Sequence, residues 1–254
     1  MARDATLTPG GQTLRLLPGR CLFWEEAGAL ILADLHLGKA AHLRHHGMPI
    51  PEGNTADDLD RLTAIIRHTA AREVIVCGDF FHAPTAQSAG VLDLVEAWRL
   101  RHHHLTVSLI IGNHDHGRAL PPPRCGIIPV GTRWHRPPFD FIHDPAHALP
   151  GALTVSGHLH PLAALPGPGP LKAPCFWWQP ASQTLILPAF GTFTAGVPIR
   201  PAPEDTLHAI YNSTIISVPG SLYHRKSVGA DRFFRRQARF DRKAKPASIR
   251  DASP

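Results

Sequence analysis

The chain has 254 residues, and 43% of them are hydrophobic, which is enough to form one large domain with a sizeable core. No apolar run approaches the roughly 18–20 residues of a membrane span, and the first residues lack the apolar segment of a signal peptide. These features argue against a membrane protein and predict a cytoplasmic location. The four cysteines form no CxxC pair, so they indicate neither a zinc knuckle nor a disulfide framework, and we expect buried, reduced thiols.

Positive charge is concentrated at the carboxyl end of the chain. The chain holds 26 Lys and Arg and 20 Asp and Glu residues, and the segment 221–254 has ten of the basic and three of the acidic ones, a net charge of +7. The other 16 basic and 17 acidic residues give residues 1–220 a net charge of −1. This division predicts a nearly neutral domain over residues 1–220, followed by a basic tail over residues 221–254.

The predicted tail interleaves arginines with Phe233, Phe234 and Phe240. Basic residues attract phosphate backbones and aromatic side chains stack on unpaired bases, so one interpretation is a contact with nucleic acid. The other interpretation is a solvated, disordered extension, or a short helix whose phenylalanines pack on the domain. The sequence slightly favours the second interpretation.

Short apolar runs predict nine strands in chain order. They cover residues 14–17, 21–24, 30–33, 74–77, 106–111, 139–142, 153–155, 175–178 and 185–187. A capping residue at Asn54 or Thr55 predicts the start of one helix, and a second helix is predicted from about Ser88 to Arg101. Strands that alternate with helices predict an α/β fold with a mixed sheet or two packed sheets.

Side chains of the types that bind metals follow four of the predicted strands. They are Asp34 and His36 after the third strand, Asp79 after the fourth, Asn113, His114 and Asp115 after the fifth, and His158 and His160 after the seventh. In α/β folds, ligands collect at the carboxyl ends of the strands, because a rigid scaffold positions the loops there. Residues i and i+2 of an extended chain point the same way, so D-x-H and H-x-H each direct two side chains into one pocket.

A glycine precedes three of these groups. At Gly78, Gly112 and Gly157 we expect a sharp exit from the strand with a backbone conformation that a Cβ would resist. Each motif alone has a plainer explanation: a helix cap for Asp34, a turn residue for Asn113, and a pair of solvated histidines for GHLH. The four motifs together, each after an apolar run, favour one shared metal site.

In this order, DLHLGK, GDFF, GNHD and GHLH resemble the motifs of the calcineurin-like binuclear metallophosphoesterases. The resemblance spans Asp34 to His160 and implies a four-layer sandwich, in which two mixed β-sheets are flanked by helices and form the catalytic domain. The family uses a further histidine between the third and fourth motifs. His143, directly after a strand, is the best match, and His135 and His147 are the weaker candidates.

The resemblance implies a specific set of ligands. One metal is held by Asp34, His36 and His160, a second by Asn113, His143 and His158, and Asp79 bridges the two. It also implies that His114 binds no metal and either stabilises charge on the phosphate or protonates the leaving oxygen. Asp115 would orient His114, and the alternative for Asp115 is a plain turn residue.

These ligand types suit the hydrolysis of phosphate esters. A phosphodiester repels hydroxide, and two metals roughly 3.5–4 Å apart neutralise its oxygens and lower the pKa of a bridging water. Carboxylate, imidazole and amide ligands without thiolate admit Mn²⁺, Fe or Zn²⁺. The resemblance favours manganese, so the expected cofactor is two divalent ions, most simply Mn²⁺.

A narrower resemblance covers about Leu14 to Val218. The stretches ADLHLGKAAHLRHHGMPIPEGNT, GDFFH, FIHDP, GHLHP, LKAPCFWW and LPAFGTFTAG are similar to the ligase-associated DNA damage response endonucleases, the PdeM group of the family. This resemblance implies a bacterial repair nuclease that acts on DNA, with an ATP-dependent DNA ligase and a helicase as functional partners. The sequence predicts no membrane partner and does not set the oligomeric state.

Two other functions stay open at this point. The first is a small-molecule phosphoesterase, such as a nucleotide-sugar lipid pyrophosphatase or a cyclic nucleotide phosphodiesterase. It would need an apolar lid or groove, and no such insertion is evident, although PCFWW is aromatic enough to line one. The second is a non-catalytic binding scaffold, and the retention of His114 and every inferred metal ligand argues against it.

Overall fold

Two β-sheets build the fold in the computed structural model, which describes residues 4–51, 53–165 and 171–224. The first sheet runs in chain order through β1 (Ala5–Leu7), β2 (Leu14–Leu17), β3 (Cys21–Trp24), β4 (Ala29–Leu32), β5 (Glu73–Cys77), β6 (Thr106–Ile110) and β7 (Ile128–Gly131). Strands β1 to β4 pair antiparallel, whereas β4 to β7 pair parallel. The first sheet is therefore mixed, with a hairpin-built half and a parallel half.

The second sheet is also mixed. Its strands are β8 (Arg133–Arg136), β9 (Phe139–Ile142), β10 (Leu153–Ser156), β11 (Pro161–Leu165), β12 (Leu171–Gln179), β13 (Thr184–Ile186), β14 (Val197–Pro198), β15 (Thr206–Tyr211) and β16 (Thr214–Pro219). Their order is β14-β11-β12-β13-β10-β9-β8, and the hairpin β15–β16 pairs with β12. Strand β10 lies between β9 and β13 and is parallel to both.

Three α-helices are present in the described ranges: α1 (Lys39–His45), α2 (Asn54–Thr69) and α3 (Ala89–Arg101). Both predicted helices begin within a residue of the expected position. The expected side-chain cap of α2 is absent, however, because Asn54 and Thr55 lie within the helix and its N-cap residue is Gly53. The hydroxyl of Thr55 instead accepts a hydrogen bond from the Gly38 N–H at 3.1 Å, which ties the start of α2 to the start of α1.

The central strands of the first sheet, β3 to β6, are buried on both faces. Leu30 and Leu32 of β4 pack in one hydrophobic cluster with side chains of the two longer helices. Leu62 of α2 and Trp98 of α3 belong to this cluster. Neighbouring Ile31 belongs to a second cluster, which lies between the two sheets and includes side chains of β9, β10 and β13. Burial on both faces explains why these strands are continuous apolar runs rather than alternating ones.

The predicted α/β fold with two mixed sheets and flanking helices is confirmed. All three described helices contribute to the cluster on the first sheet, and a third, smaller cluster of strand and loop residues lies on the second sheet.

The four cysteines are free and buried, as expected. No helix in the described ranges is long and apolar enough to span a membrane. The predictions for the basic tail beyond residue 224 concern residues outside the described ranges.

Candidate metal centre

The predicted ligands leave the carboxyl ends of parallel strands from both sheets. Asp34 and His36 follow β4, Asp79 follows β5, Asn113 follows β6, His143 follows β9, and His158 and His160 follow β10. Backbone hydrogen bonds join these loops. The His36 N–H donates to the Asp79 carbonyl at 2.9 Å, and the Gly157 N–H donates to the His143 carbonyl at 3.0 Å. The two sheets thus bring their strand ends to a common edge.

The first predicted ligand group is Asp34, His36 and His160, and its ligand atoms lie within 4.8 Å of one another. The Nδ1 of His160 lies 3.2 Å from the Ala195 carbonyl, which fixes the proton on Nδ1 and leaves Nε2 with a free lone pair. That Nε2 faces Asp34 Oδ1 at 3.3 Å. Both atoms are buried and have no hydrogen-bond partner, which is costly unless a cation lies between them.

The second predicted ligand group is Asn113, His143 and His158. Asn113 Oδ1 lies 2.8 Å from His143 Nε2 and 3.0 Å from His158 Nδ1, and these two nitrogens are 3.1 Å apart. The Nδ1 of His143 is held by the Cys77 carbonyl at 2.9 Å, so Nε2 is the atom available to a metal. Three donor atoms therefore converge on one point, as a metal ion requires.

Asp79 lies between the two groups. Its Oδ2 is 3.7 Å from His36 Nε2 and 3.4 Å from His143 Nε2, so one carboxylate oxygen contacts both sets. Its Oδ1 accepts a hydrogen bond from the His114 N–H at 2.9 Å. All seven predicted ligands are thereby brought together in one site, with Asp79 between the two groups.

The electrostatics of the site favour cations. Burial by itself disfavours charge, yet the hydrogen bond and charge of His143 lower the pKa of Asp79 to about 2. In the same way, burial would lower the pKa of His143, but its hydrogen bond with Asp79 and the charge of Asp34 raise that pKa to about 9. Burial lowers the pKa of His36 to about 3, which keeps its imidazole neutral and able to bind a metal. Two buried carboxylates thus set up a negative potential that a metal would neutralise.

Asp115 has a different role from the one expected. Its buried carboxylate accepts hydrogen bonds from the backbone N–H groups of Asp79 at 2.6 Å, Phe80 at 2.9 Å and Gly112 at 3.0 Å. Burial raises the pKa of Asp115 to about 6, although these hydrogen bonds oppose the rise. The expectation that Asp115 orients the His114 ring is corrected by these contacts, since Asp115 fixes the two loops after β5 and β6 instead.

His114 is oriented by His82, a residue that the sequence analysis did not single out. The Nδ1 of His114 lies 2.5 Å from the His82 carbonyl, and the two rings stack with centroids 5.1 Å apart. The Nε2 of His114 points into the site, 4.0 Å from Asp79 Oδ2. His82 also lies against His36, with their Nδ1 atoms 3.4 Å apart, and His36, His82 and His114 form a further group with metal-binding potential. The only sequence signal for His82 was its place in GDFFH.

The two weaker candidates for the extra histidine lie elsewhere. The Nδ1 of His135 is 2.6 Å from the Asp140 carboxylate, on β8 and β9, and His147 lies near Asp144 with an exposed side chain. His143 is the candidate that the structure brings to the other ligands.

The backbone at the site is unusual. Ten non-glycine residues in the described ranges have a positive φ, and five of them are predicted ligands. These five are Asp34 at 54°, His36 at 46°, Asp79 at 54°, His158 at 72° and His160 at 46°. A left-handed conformation costs on the order of 1–3 kcal/mol at such residues, and strain of this kind concentrates at functional sites.

The three glycines before the ligands are required mainly by lack of space. Gly78 has the expected left-handed backbone, with φ of 84°, but Gly112 and Gly157 do not have a positive φ. A Cβ on Gly112 would lie 2.3 Å from Asp79 Oδ1, and one on Gly157 would lie 2.7 Å from Asp34 Oδ2. The expectation of a special conformation is thus corrected at two of the three positions, where the ligands pack directly against the glycine.

Comparison with known proteins identifies the family. The model of the calcineurin-like phosphoesterases matches residues 29–172, which is more than half of the chain. The chain belongs to the calcineurin-like phosphoesterase family. It is accordingly a metal-dependent phosphoesterase, and a family member uses a binuclear site of divalent metals. The matched residues contain all seven ligands of the candidate centre.

Two solved structures resemble this calcineurin-like phosphoesterase. The nuclease MPE from Pseudomonas putida is 34% identical, with a TM-score of 0.73, over 85% of this chain and 100% of the other. The phosphoesterase YfcE from E. coli is 14% identical, with a TM-score of 0.40, over 75% of this chain and 98% of the other. The search of curated proteins found no match.

Proposed function

We propose that this phosphoesterase is a nuclease that hydrolyses phosphodiester bonds in DNA. The observation that carries the proposal is the similarity to a solved nuclease over 85% of the chain, at 34% identity and a TM-score of 0.73. The ligand atoms of the candidate centre support it, because they converge as a binuclear site requires. Membership of the calcineurin-like phosphoesterase family, with His114 and every predicted ligand present, argues against a scaffold without catalysis.

The proposed ligands are the two groups described above. Asp34, His36 and His160 would hold one divalent ion, Asn113, His143 and His158 the other, and Asp79 both. When bound, the two ions supply positive charge for the phosphoryl oxygens and acidify water at neutral pH. We propose Mn²⁺ as the native ion, because the family resemblance favours it. The carboxylate, imidazole and amide ligands, without thiolate, admit Mn²⁺ as well as Fe and Zn²⁺.

His114 is the proposed proton donor or charge stabiliser. Because its Nδ1–H is held by the His82 carbonyl, only Nε2 can exchange a proton with a substrate. The protonated ring then presents one N–H toward the site and returns to neutral when the leaving oxygen takes that proton. Asp115 acts through the backbone: it fixes the loop that carries Asp79 against the loop that carries His114.

The proposal also includes a cellular context. We propose a role in bacterial DNA repair, with an ATP-dependent DNA ligase and a helicase as functional partners, in the cytoplasm. The support is the resemblance of GDFFH, LKAPCFWW and LPAFGTFTAG to the ligase-associated endonucleases. The basic tail is a further candidate contact for DNA, and it stays a prediction from charge.

A substrate panel tests the proposed activity. The purified full chain is incubated with Mn²⁺ and single-stranded DNA, nicked DNA, a cyclic nucleotide or a phosphomonoester, each with and without a chelator. We expect metal-dependent cleavage of DNA. Hydrolysis confined to the cyclic nucleotide or the monoester would replace the nuclease with a small-molecule phosphoesterase.

The role of His114 has its own test. We expect His114→Ala to keep the metal content of the wild type and to cleave DNA roughly 10²–10⁴-fold more slowly. A nitrophenolate departs without a proton, so hydrolysis of bis(4-nitrophenyl) phosphate should fall less than DNA cleavage if His114 protonates the leaving oxygen. His135→Ala is the matched control and should leave both activities intact. Unchanged DNA cleavage by His114→Ala would remove His114 from the mechanism.

A further inference from the structure

The segment LPAFGTFTAG, residues 187–196, has no part in the ligand set described above. Within it, the Thr194 N–H donates to the Gly191 carbonyl at 3.3 Å, which closes a turn with Thr192 and Phe193 at its tip. Both tip residues are exposed, and Phe193 leaves 38% of its surface open to solvent. Phe193 thus presents an aromatic ring to solvent at the tip of a turn, which raises the question of what it contacts.

Both ends of this turn contact proposed metal ligands. The Gly191 N–H donates to the Asp34 carbonyl at 3.1 Å, and the Ala195 carbonyl lies 3.2 Å from His160 Nδ1. Phe193 is therefore two residues from each of these contacts. The turn forms part of the rim of the metal centre, and Phe193 is its most exposed aromatic side chain.

Helix α2 holds the turn in place. The Asp58 carboxylate accepts a hydrogen bond from the Thr192 N–H at 3.1 Å. Arg61 pairs with Asp58 at 2.9 Å, donates to the Phe190 carbonyl at 2.5 Å and places its guanidinium 4.1 Å from the centre of the Phe190 ring. The contacts with Asp58 and Arg61 fix the backbone before Phe193, and the contact of the Ala195 carbonyl with His160 fixes it after Phe193. The position of the turn is therefore set before any substrate binds.

We propose that Phe193 is a stacking platform for a nucleobase of the DNA strand whose phosphate lies at the metal centre. This inference rests on the proposed nuclease function. An aromatic ring accepts any base, because every base has a π-face, and stacking contributes binding energy without a charge at that point. In this arrangement the metal centre binds the phosphate, and the turn beside it contacts the base.

Abasic substitution in the substrate tests the stacking directly. Short single-stranded oligonucleotides carry one abasic residue at successive positions, and cleavage at each phosphate is resolved on a gel. With the wild type, we expect one position relative to the cleaved phosphate at which loss of the base raises KM by about 5- to 150-fold, the range that corresponds to one stacked base. With Phe193→Ala, KM for the intact strand should rise by the same factor, and the abasic residue at that position should have no further effect.

Conservative variants separate stacking from folding. Phe193→Trp should restore the abasic effect, whereas Phe193→Leu, which is apolar but cannot stack, should not. Tyr211→Ala is the control, because Tyr211 is an aromatic residue of similar exposure, 40%, at the end of β15. The proposal is overturned if Phe193→Ala keeps the abasic dependence of the wild type or if Leu substitutes as well as Trp. If the wild type cleaves no DNA but hydrolyses small diesters, the nuclease function itself fails.

Discussion

Two clusters of aspartate and histidine in this molecule differ in a way that separates a metal site from an ordinary ion pair. In the first, Asp34 Oδ1 and His160 Nε2 are buried 3.3 Å apart without a hydrogen-bond partner. In the second, the Asp140 carboxylate accepts from Arg133 at 2.8 Å and lies 2.6 Å from His135. Both oxygens of Asp140 are satisfied, whereas the first cluster has free lone pairs that face each other.

The backbone shows the same difference. Five of the predicted ligands have a left-handed backbone, while Arg133, His135 and Asp140 lie on regular strands without a positive φ. The second cluster lines a cavity of about 670 Å³. A cavity beside an aspartate and a histidine therefore does not by itself indicate a metal site. Strained backbone and unsatisfied donor atoms together mark the metal centre, since both cost stability unless a ligand compensates.

The largest loss of metal binding and DNA cleavage is expected when Asp79 is replaced. Asp79→Ala should weaken both metal positions, because Asp79 Oδ2 contacts both ligand groups. DNA cleavage should then fall by more than the roughly 10²–10⁴-fold expected for loss of a proton donor. Metal per chain, measured by mass spectrometry after dialysis, checks this prediction. Two tightly bound ions in the variant would exclude a bridging role.

A smaller loss of DNA cleavage is expected when an added Cβ at Gly112 displaces the Asp79 carboxylate. Gly112→Ala would place a Cβ 2.3 Å from Asp79 Oδ1, and the displaced carboxylate should lower DNA cleavage by about 10²-fold, the effect of a misplacement near 1 Å. The matched control is Gly90→Ala in α3, where a Cβ meets nothing within 4 Å and a helix gains about 1 kcal/mol. Equal activity of the two variants would show that the space at Gly112 has no bearing on catalysis.

The smallest effect on activity is expected from a substitution in the second cluster, at Asp140. Asp140→Asn removes the charge that pairs with Arg133, so we expect the free energy of unfolding to fall by roughly 1–3 kcal/mol. Metal content and DNA cleavage should match the wild type. Thermal unfolding and the activity assay check both statements, and a loss of bound metal would mean that the two clusters are not separate.

The sequence predicts the strands that lead to the candidate site well, but it misses edge strands and also the buried strand β15. The nine predicted strands and both predicted helices are present, because their apolar runs are long enough to carry a pattern. The missed strands include β7, β8 and β14, at sheet edges, where short, polar or proline-containing segments pair through the backbone. Helix α1 was also missed, since its seven residues contain four basic ones and one buried side chain.

At the site, the sequence reveals which side chains follow strands but not what they contact. The seven predicted ligands stand in motifs, so the sequence alone indicates each of them. The contact of His82 with His114, and that of the Ala195 carbonyl with His160, join segments that are 32 and 35 residues apart and carry no local pattern. From the sequence, Asp115 is expected to orient its neighbour His114. In the folded chain its carboxylate instead accepts hydrogen bonds from the N–H groups of Asp79 and Phe80.

Anomalous scattering from crystals grown with Mn²⁺ tests the central claim most directly. We expect two metal peaks per chain, one contacting Asp34, His36 and His160, the other contacting Asn113, His143 and His158, with Asp79 on both. A single peak, or peaks bound by other side chains such as His82, would contradict the binuclear assignment.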